Sequence, residues 1–394
     1  MNDYVIQVHT SPADVDPQAW DALLQAQPHA SVFMRHAYLS ALHTSGSACE
    51  RTGWEPHFIT LRDDEGLAAA AVLYIKDHSM GEYVFDFAWA NAYQQHGLPY
   101  YPKAVVAVPF TPVPGSRLLA RDDKARVSLV QALVSSSQQR NLSSLHLLFG
   151  AAQDMAACAK AGLMLRHTVQ FHWHNSAEGY PDFDTFLSSL SQDKRKKIRQ
   201  ERRKVSDAGV TFRHAEGVAI TPEDWDFFYR CYERTYLEHG NAPYLRPDFF
   251  KRLAQSMPEN WLLFVAEHEG RPIASSLIAI GSYPSDRVDG VPRLEKVAYG
   301  RYWGALERVD CLHFEACYYQ PLEWCIANGY QRFEGGAQGE HKMARALLPV
   351  KTSSAHWIAH PEFSKAISNF LQREGNGIEN YMEDLSTRNP FRRV

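Results

Sequence analysis

The sequence lacks several features that define large classes of proteins. No run of about 18 consecutive apolar residues occurs, so no membrane-spanning helix is expected. The six cysteines are scattered without a CxxC spacing, which argues against a disulfide framework and against a zinc ribbon. The first residues, MNDYVIQVHT, lack the basic and apolar regions of a signal peptide. We therefore expect a cytoplasmic protein with no integral membrane contact, whose oligomeric state stays open.

The charge of the chain is small overall and concentrated in one segment. The 394 residues carry a net charge of −4, and their number suggests two or three domains. Residues 194–204, KRKKIRQERRK, hold eight Lys or Arg and one Glu, so this segment is +7 and the remainder is −11. Only Leu190, Ile198 and Val205 form an apolar seam along the predicted helix, so most of its cations face water or a ligand. Two interpretations stay open: a solvated helix that joins two domains, or a cradle for a polyphosphate or RNA backbone.

Three short patterns recur in the same order and predict a duplicated domain. The matched pairs begin at Pro17 and Pro222, at Phe33 and Tyr244, and at Trp54 and Trp261. Their offsets of 205, 211 and 207 residues differ only by loop-sized insertions. We predict an N-terminal domain over 1–180, a basic helical linker over 181–209 and a C-terminal domain over 210–394.

The residue patterns of both halves predict the same order of elements: a strand, two helices, three antiparallel strands, a helix, a strand, a helix and a strand. The predicted fold class is α/β (α+β), with a mixed, mostly antiparallel sheet flanked by helices in each half. This order resembles the GNAT N-acyltransferase fold, and the tandem pair with its basic segment resembles the FemAB-like branch. Known members of that branch add amino acids from aminoacyl-tRNA to peptidoglycan precursors.

Six longer segments resemble the bacterial family labelled peptidoglycan biosynthesis/recognition more closely, and together they span nearly the whole chain. They are GLPYYPK at Gly97, PFTPVPGSRLL at Pro109, KRKKIRQER at Lys194, GRYWG at Gly300, LHFEACYYQPLEWCI at Leu312 and EGGAQGEHKMAR at Glu334. The resemblance implies an N-acyltransferase that joins an activated acyl donor to an amine acceptor. It implies acyl-CoA or aminoacyl-tRNA as co-substrate, with tRNA as a candidate partner and no tightly bound cofactor.

The glycine-rich loop at 334–345 follows a predicted strand and is the first candidate for the active site. Its glycines let backbone NH groups approach an anion or a carbonyl oxygen, and Glu340 or His341 could take a proton from an amine. The spacing matches neither a P-loop nor a GxGxxG fingerprint. The alternative is a tight turn with charged surface residues. From this loop we predict the cleft-lining residues Gly335, Gly336, Gln338 and Gly339 and the phosphate-binding residues Lys342 and Arg345.

The strand at 299–304 is the second candidate, and the resemblance implies that it holds the acyl donor. Strict alternation predicts Tyr299, Arg301 and Trp303 on one face and Gly300 and Tyr302 on the other. Arg301 beside two aromatic rings suits phosphate or carboxylate recognition, and the Tyr302 hydroxyl is predicted to stabilise an oxyanion. The alternative is an aromatic strand packed on a helix, which does not explain why an arginine occupies position 301.

The helix after this strand places His313 and Cys317 four residues apart, on one face. No second pair of ligands matches them, so no metal site is predicted. Cys317 is expected to be a buried thiol because its neighbours are apolar. The helix is predicted to present Glu315 or His313 to the cleft and to kink at Pro321.

In the first half, residues 109–119 occupy the place where, by the resemblance, a GNAT domain binds the donor pyrophosphate through backbone NH groups. This stretch is rich in proline, which has no NH, so only Gly115, Ser116 and Arg117 remain to contact an anion. We therefore predict that the first domain is a degenerate copy that shapes a cleft.

The combined prediction is an N-acyltransferase whose active cleft lies mainly in the second half. Glu340 or His341 would act as the base, with the oxyanion held by Tyr302 or backbone NH groups. The cations predicted to bind phosphate on the donor or the acceptor are Lys196, Lys197, Arg199, Arg203, Arg301, Lys342 and Arg345. The alternatives are an acyl-CoA-dependent N-acetyltransferase and a non-catalytic protein of the same fold that binds RNA or a phosphorylated precursor.

Overall fold

The computed structural model describes residues 4–288, 291–337 and 339–392. The chain forms two compact units. Unit 1 comprises Met1–Thr168 and Lys351–Tyr381, and unit 2 comprises Val169–Val350 and Met382–Val394. Within the described ranges, no helix combines the length and the apolar character needed to span a membrane.

The elements follow one another in an order that repeats along the chain. The strands are β1 Val5–His9, β2 Glu55–Asp63, β3 Gly66–Lys76, β4 Lys103–Val106, β5 Leu119–Ala120, β6 Ser144–Leu147, β7 Met164–His174, β8 Val210–Glu216, β9 Trp261–His268, β10 Arg271–Val288, β11 Val291–Ala305, β12 Arg332–Ala337 and β13 Leu348–Ile358. The helices are α1 Pro17–Gln25, α2 His36–Thr44, α3 Phe87–Gln95, α4 Asp123–Gln139, α5 Ala152–Lys160, α6 Phe183–Ser189, α7 Gln192–Asp207, α8 Pro222–Glu238, α9 Pro247–Ser256, α10 Leu312–Phe314, α11 Gln320–Ala327 and α12 Pro361–Thr387. A π-helix, Glu315–Tyr319, joins α10 to α11, and a 3₁₀ segment, Glu340–Arg345, follows β12.

Each unit contains a sheet with the same arrangement of strands. In unit 1 the order is β1-β2-β3-β4-β6-β13, and in unit 2 it is β8-β9-β10-β11-β12-β7. The neighbouring strands run antiparallel except for one parallel pair in each sheet, β4 with β6 and β11 with β12. The predicted fold class, a mixed and mostly antiparallel sheet flanked by helices in each copy, is confirmed.

The last strand of each sheet comes from the other half of the sequence. Residues 355–358 of β13 pair with β6 in unit 1, and residues 170–174 of β7 pair with β12 in unit 2. The compact units therefore differ from the division at 1–180, 181–209 and 210–394 predicted from the repeat. Local hydrophobic periodicity identifies a strand, but it carries no information on which sheet the strand joins.

Helices cover the sheets with tightly packed apolar side chains. In unit 1, Leu129 and Leu133 of α4 share a buried cluster with Ala69 of β3. In unit 2, a Cβ atom at Gly304 of β11 would lie 1.8 Å from the carbonyl oxygen of Cys231 in α8. Glycine at this position therefore allows the backbone of α8 to lie directly against the strand that carries the candidate site.

Candidate functional site

The candidate site in unit 2 is a cavity between the parallel strands β11 and β12. Their pairing extends from Val297 with Arg332 to Tyr299 with Glu334, and a cavity of about 150 Å³ lies at the end of this pairing. Its lining residues are Ser276, Gly300, Arg301, Tyr302, Trp303, His313, Cys317, Tyr318, Phe333 and Gly335. Ligands of open α/β sheets commonly bind beyond the carboxyl ends of parallel strands, which is where this cavity lies.

A bulge in β11 sets the direction of the side chains that line the cavity. Leu277 of β10 pairs with Tyr302 and Ile278 pairs with Gly300, so Arg301 is the extra residue. Cross-strand partners share a face, which puts Tyr302 on the face of Tyr299 and Trp303 on the face of Gly300. The predicted alternation, with Tyr299 and Trp303 on one face, is therefore wrong. Tyr299 is fully buried and is not part of the cavity lining described here.

Tyr302 borders the cavity, and its side chain lies on the face of the sheet that α8 and α9 cover. Its ring packs edge-on against Tyr232 of α8 and Phe250 of α9, with centroids 5.5 and 5.7 Å apart. The residue is 8% exposed, and Oη has no hydrogen-bond partner among the described residues. A buried hydroxyl without a partner costs about 1–3 kcal/mol. The guanidinium of Arg301 lies 5.1 Å from the same ring.

The opposite wall is formed by the helix that follows β11. Pro321 has no NH and its ring would clash with the carbonyl of Cys317 in a regular α-helix, so the chain forms the wider π-turn Glu315–Tyr319 immediately before α11. The predicted irregularity thus lies on the N-terminal side of Gln320. The wider turn brings Tyr318 to the cavity beside His313 and Cys317.

Burial sets the protonation of these side chains. Burial lowers the pKa of His313 to about 4, so its imidazole is neutral at pH 7. Burial raises the pKa of the Cys317 thiol to about 12, so it is not a thiolate near neutral pH. The thiol therefore has little nucleophilic character, but Cys317 is only half-buried and borders the cavity, which differs from the expected buried position.

The glycine-rich loop borders the cavity through Gly335 and carries the candidate base. His341 is exposed, and its Nε2 lies 3.5 Å from the hydroxyl of Tyr318. Partial burial, followed by the cations Arg345 and Lys342, lowers the pKa of His341 below its usual value. The neighbouring Glu340 points elsewhere, because its carboxylate accepts a hydrogen bond from Arg388 Nη1 at 2.6 Å.

The remaining loop residues have mainly backbone roles. Gly335 borders the cavity, and a Cβ atom there would lie 2.3 Å from Leu347 Cδ2. Lys342 is buried, and its ammonium donates to the carbonyls of Gly335 at 2.7 Å and of Gly336 at 3.4 Å. Burial lowers the pKa of Lys342 to about 8. Gly339 adopts a φ of 92°, and the predicted residue Gln338 lies outside the described residues.

The basic helix α7 is fixed to the site by its one internal carboxylate. Glu201 is buried with Ile198 and Val205, and its Oε2 accepts hydrogen bonds from Tyr319 and from Arg345 Nη2. Arg345 is 1% exposed and also lies 3.5 Å above the ring of Phe314. The guanidinium of Arg345, predicted to bind phosphate, is therefore enclosed between α7 and the helix beyond β11.

The four cations of α7 that were predicted to bind phosphate differ in their surroundings from Arg202. Lys196, Lys197, Arg199 and Arg203 are exposed, and they remain candidates for binding phosphate. Arg202 instead donates to Glu315 Oε1 at 3.1 Å and to Glu323 Oε2 at 2.7 Å.

These ion pairs lie in a second depression, which is separate from the strand cavity. This groove of about 640 Å³ is lined in part by Arg199, Arg202, Arg203 and Glu315. The side chain of Glu315 thus belongs to this groove beneath α7, whereas His313 lines the cavity between the strands.

Several site residues were not predicted from the sequence. Ser276 lies on β10 opposite Trp303, Phe333 has the pattern of an ordinary buried strand residue, and Tyr318 belongs to the π-turn. The sequence did contain a signal for Glu201, which is the one acid among the eight cations of residues 194–204. A charge of opposite sign at a buried helical position indicates an internal ion pair.

The equivalent loop of unit 1 uses its backbone NH groups within the protein. The NH of Gly115 donates to Phe149 O, that of Ser116 to His29 O, and that of Arg117 to the carboxylate of Asp154. The Arg117 side chain is 1% exposed and donates to backbone carbonyls, including Leu148 O at 3.1 Å. An anion at this loop would have to displace these acceptors, which favours a structural role for the loop.

Each of the two units contains one parallel strand pair in an otherwise antiparallel sheet. The chain belongs to the FemAB-like family, described as peptidoglycan biosynthesis/recognition, whose family model matches residues 11–393. The resemblance inferred from the sequence is confirmed. No functionally curated protein matches the chain.

Solved structures share the fold at low sequence identity. FemX is 10% identical with a TM-score of 0.54, over 92% of this chain and 100% of that chain. The C-terminal domain (DUF2156) of a candidate lysylphosphatidylglycerol synthetase from Agrobacterium fabrum is 12% identical with a TM-score of 0.54, over 91% and 96%. L-PGS from Bacillus licheniformis is 12% identical with a TM-score of 0.51, over 90% and 97%. These likenesses establish the fold.

Proposed function

We propose that unit 2 transfers an acyl or aminoacyl group from an activated donor to an amine, with the donor carbonyl in the cavity between β11 and β12. The single observation that carries this proposal is the cavity at the carboxyl ends of the parallel strands β11 and β12. Tyr302 is one of its lining residues and has a buried hydroxyl without a hydrogen-bond partner among the described residues. Such a donor fits an oxygen that gains negative charge during the reaction. The description of the family supports a reaction related to peptidoglycan, and the amine acceptor is part of the proposal.

The transfer is a direct displacement. The amine nitrogen attacks the acyl carbon, and the electron pair of the carbonyl moves to the oxygen, which accepts a hydrogen bond from Tyr302. Collapse of the tetrahedral intermediate breaks the bond between the acyl carbon and the sulfur or oxygen of the donor. The amine proton passes to a base and then to the leaving group. A covalent intermediate on Cys317 is disfavoured because burial raises the pKa of its thiol to about 12.

His341 is the better of the two predicted bases. Its lowered pKa keeps the ring neutral at pH 7, and the Tyr318 hydroxyl, 3.5 Å from Nε2, connects the ring to the cavity. Glu340 is engaged with Arg388 and is better suited to holding the loop. Base catalysis of this kind contributes about 10²- to 10⁴-fold to the rate.

The exposed cations of α7 are proposed to contact phosphates of the donor. Acyl-CoA offers a few phosphates and aminoacyl-tRNA offers many, so the two donors differ in their response to salt. Binding of a tRNA through several of these cations should weaken steeply between 50 and 200 mM salt, by about 10³-fold or more for six or more phosphate contacts. A non-catalytic protein that binds RNA would show the same salt dependence without turnover.

The test is acyl transfer by a variant with both predicted bases replaced. Glu340→Gln with His341→Ala should lose about 10²-fold or more of the transfer rate of the native chain, measured by mass spectrometry of the acylated amine. Lys124→Gln with Lys160→Gln, which replaces exposed side chains of unit 1, is the matched control and should retain the native rate. Undiminished transfer by the base variant would refute this assignment of the site.

A further inference from the structure

The buried ion pair between Glu201 and Arg345 is directly connected to the proposed base. On the basis of the proposed function, we propose that Arg345 is a positioning residue for His341 and that Glu201 of α7 holds Arg345 in place. Both residues act through His341, by fixing its backbone and its ring, and neither contacts the reacting atoms.

The guanidinium of Arg345 joins the base to α7 through two hydrogen bonds. Its Nη1 donates to the backbone carbonyl of His341 at 2.7 Å, and its Nη2 donates to Glu201 Oε2 at 2.7 Å. A guanidinium can make both bonds at once because its donors lie in one rigid plane. The side chains of Arg345 and Glu201 are both buried, which shields the pair from water. The carbonyl of His341 is therefore fixed relative to α7.

The ring of His341 lies against an aromatic side chain that Arg345 also contacts. The Arg345 guanidinium is 3.5 Å from the centroid of the Phe314 ring, and the Phe314 and His341 rings have centroids 5.9 Å apart. The Tyr318 hydroxyl lies 3.5 Å from His341 Nε2. A Cβ atom at Gly339 would collide with the His341 ring in this position. The direction of Nε2 therefore depends on the side chains around Arg345.

The same ion pair also affects the protonation of the base. Burial, then the cations of Arg345 and Lys342, lowers the pKa of His341, and the carboxylate of Glu201 raises it. The two members of the pair thus act on His341 with opposite signs. Among the described residues, the other titratable groups that contact the ring or act on its charge are Lys197, His313 and Tyr318.

The place of Glu201 in the sequence connects the base to the proposed donor site. Glu201 lies one helical turn after Lys197, one of the exposed cations of α7 that are proposed to contact donor phosphates. A pair of apolar side chains could join α7 to its neighbours equally well, but it could not hold the carbonyl of His341. The helix that would bind the donor is therefore also the helix that fixes the base.

A double-mutant cycle tests whether Arg345 acts through His341. Arg345→Lys keeps the charge but loses the planar pair of donors, so it should lower kcat for acyl transfer by about 10-fold or more and leave KM unchanged. In the His341→Gln background, Arg345→Lys should change kcat by less than about 2-fold, because the base is already absent. Arg234→Lys is the matched control, because Arg234 forms an exposed pair with Glu238 in α8, and it should keep the native kcat.

Histidine NMR of the full chain gives a second readout that does not need turnover. The signal of His341 is the one that is missing from His341→Gln. Arg345→Gln should raise the pKa of His341 by about 0.5 or more because it removes a nearby cation, and Glu201→Gln should lower that pKa. Loss of structure would instead move the pKa toward about 6.5 in both variants.

If Glu201→Gln does not fold, the variant that combines it with Arg345→Gln removes both charges and replaces it. The pKa of His341 in this double variant should lie below its value in Arg345→Gln, because the double variant lacks the carboxylate as well.

The kinetic and NMR results separate the inference from the proposed function. A native kcat in Arg345→Lys, a rise in KM without a fall in kcat, or an equal loss of kcat with and without His341 overturns the inference and leaves acyl transfer standing. Shifts of the same sign in Arg345→Gln and Glu201→Gln, or a double variant with a pKa at or above that of Arg345→Gln, also overturn it. No transfer by the native chain from acyl-CoA or from aminoacyl-tRNA overturns the proposed function itself, whatever the NMR shifts are.

Discussion

His341 is the residue whose protonation state decides whether the site can accept a proton from an amine. Its partial burial, then the cations Arg345 and Lys342, move its pKa below 6.5. Lowering the pKa of an imidazole favours the neutral form, so the ring keeps its lone pair through neutral pH.

This protonation state predicts the pH dependence of transfer. With neutral His341 as the base, kcat/KM should rise with pH, with a midpoint below 6.5, and then reach a plateau. His341→Gln should lower the plateau and remove this limb. The measurement is kcat/KM for acyl transfer between about pH 4.5 and pH 8. A midpoint above 6.5, or the same limb in the variant, would contradict the role of His341.

At the scale of elements, the buried carboxylate of Glu201 attaches α7 to the helix beyond β11, beside the pairs that Arg202 forms with Glu315 and Glu323. Glu201 holds Arg345 at 2.7 Å and also accepts the hydroxyl of Tyr319, which joins three segments at one point. Breaking a buried pair leaves a charge without compensation, whereas an exposed pair is already solvated.

Two glutamate variants test this difference. Glu201→Gln should lower the free energy of unfolding by about 3–5 kcal/mol, because Arg345 stays buried and loses its counter-charge. Glu340→Gln breaks the exposed pair with Arg388 and should cost about 1 kcal/mol or less. Urea unfolding of both variants measures the difference, and equal losses of stability would show that Glu201 does not hold these elements together.

The elements also show how far the sequence predicts the site. Hydrophobic periodicity and three repeated patterns were sufficient for the duplicated fold, because they follow from burying one face of each element. Arg301, Tyr302, Trp303, His313 and Gly335 were predicted near one cleft, and all five line the cavity.

The direction of the side chains was not predictable, because it depends on irregular backbone. The bulge at Arg301 reverses the alternation of β11, and the π-turn before Pro321 brings Tyr318 to the cavity. Neighbouring residues also diverge: Glu340 turns to Arg388 while His341 turns to Tyr318. Such partners lie far apart in sequence, so local patterns do not reveal them.

At the scale of the whole molecule, the origin of the last strand in each sheet determines what can fold alone. Unit 1 needs β13 beside β6, and α12 completes one of its buried clusters. In that cluster Ile367 and Leu371 of α12 pack with Trp89 and Tyr93 of α3. Residues 1–180 lack both elements, so they leave a strand edge and an apolar surface without cover.

Fragments provide the test of this dependence. Residues 1–180 should aggregate or unfold without cooperativity, because β6 and α3 lose their partners. A chain in which 1–168 is followed through a flexible linker by 351–381 should unfold cooperatively. Thermal unfolding followed by circular dichroism measures both. Cooperative unfolding of 1–180 alone would mean that the division inferred from the sequence repeat describes an independent domain.

The central claim is that chemistry takes place at the Tyr302 hydroxyl, between β11 and β12. Tyr302→Phe keeps the ring and removes the donor, and Tyr93→Phe is the matched control because Tyr93 Oη is also buried without a partner among the described residues, in unit 1. The most direct measurement is the single-turnover rate of acyl transfer for the native chain and both variants, with the same activated donor in each case. We predict a loss of about 10²- to 10³-fold for Tyr302→Phe with unchanged donor affinity, and no loss for Tyr93→Phe. A native rate in Tyr302→Phe would contradict the account.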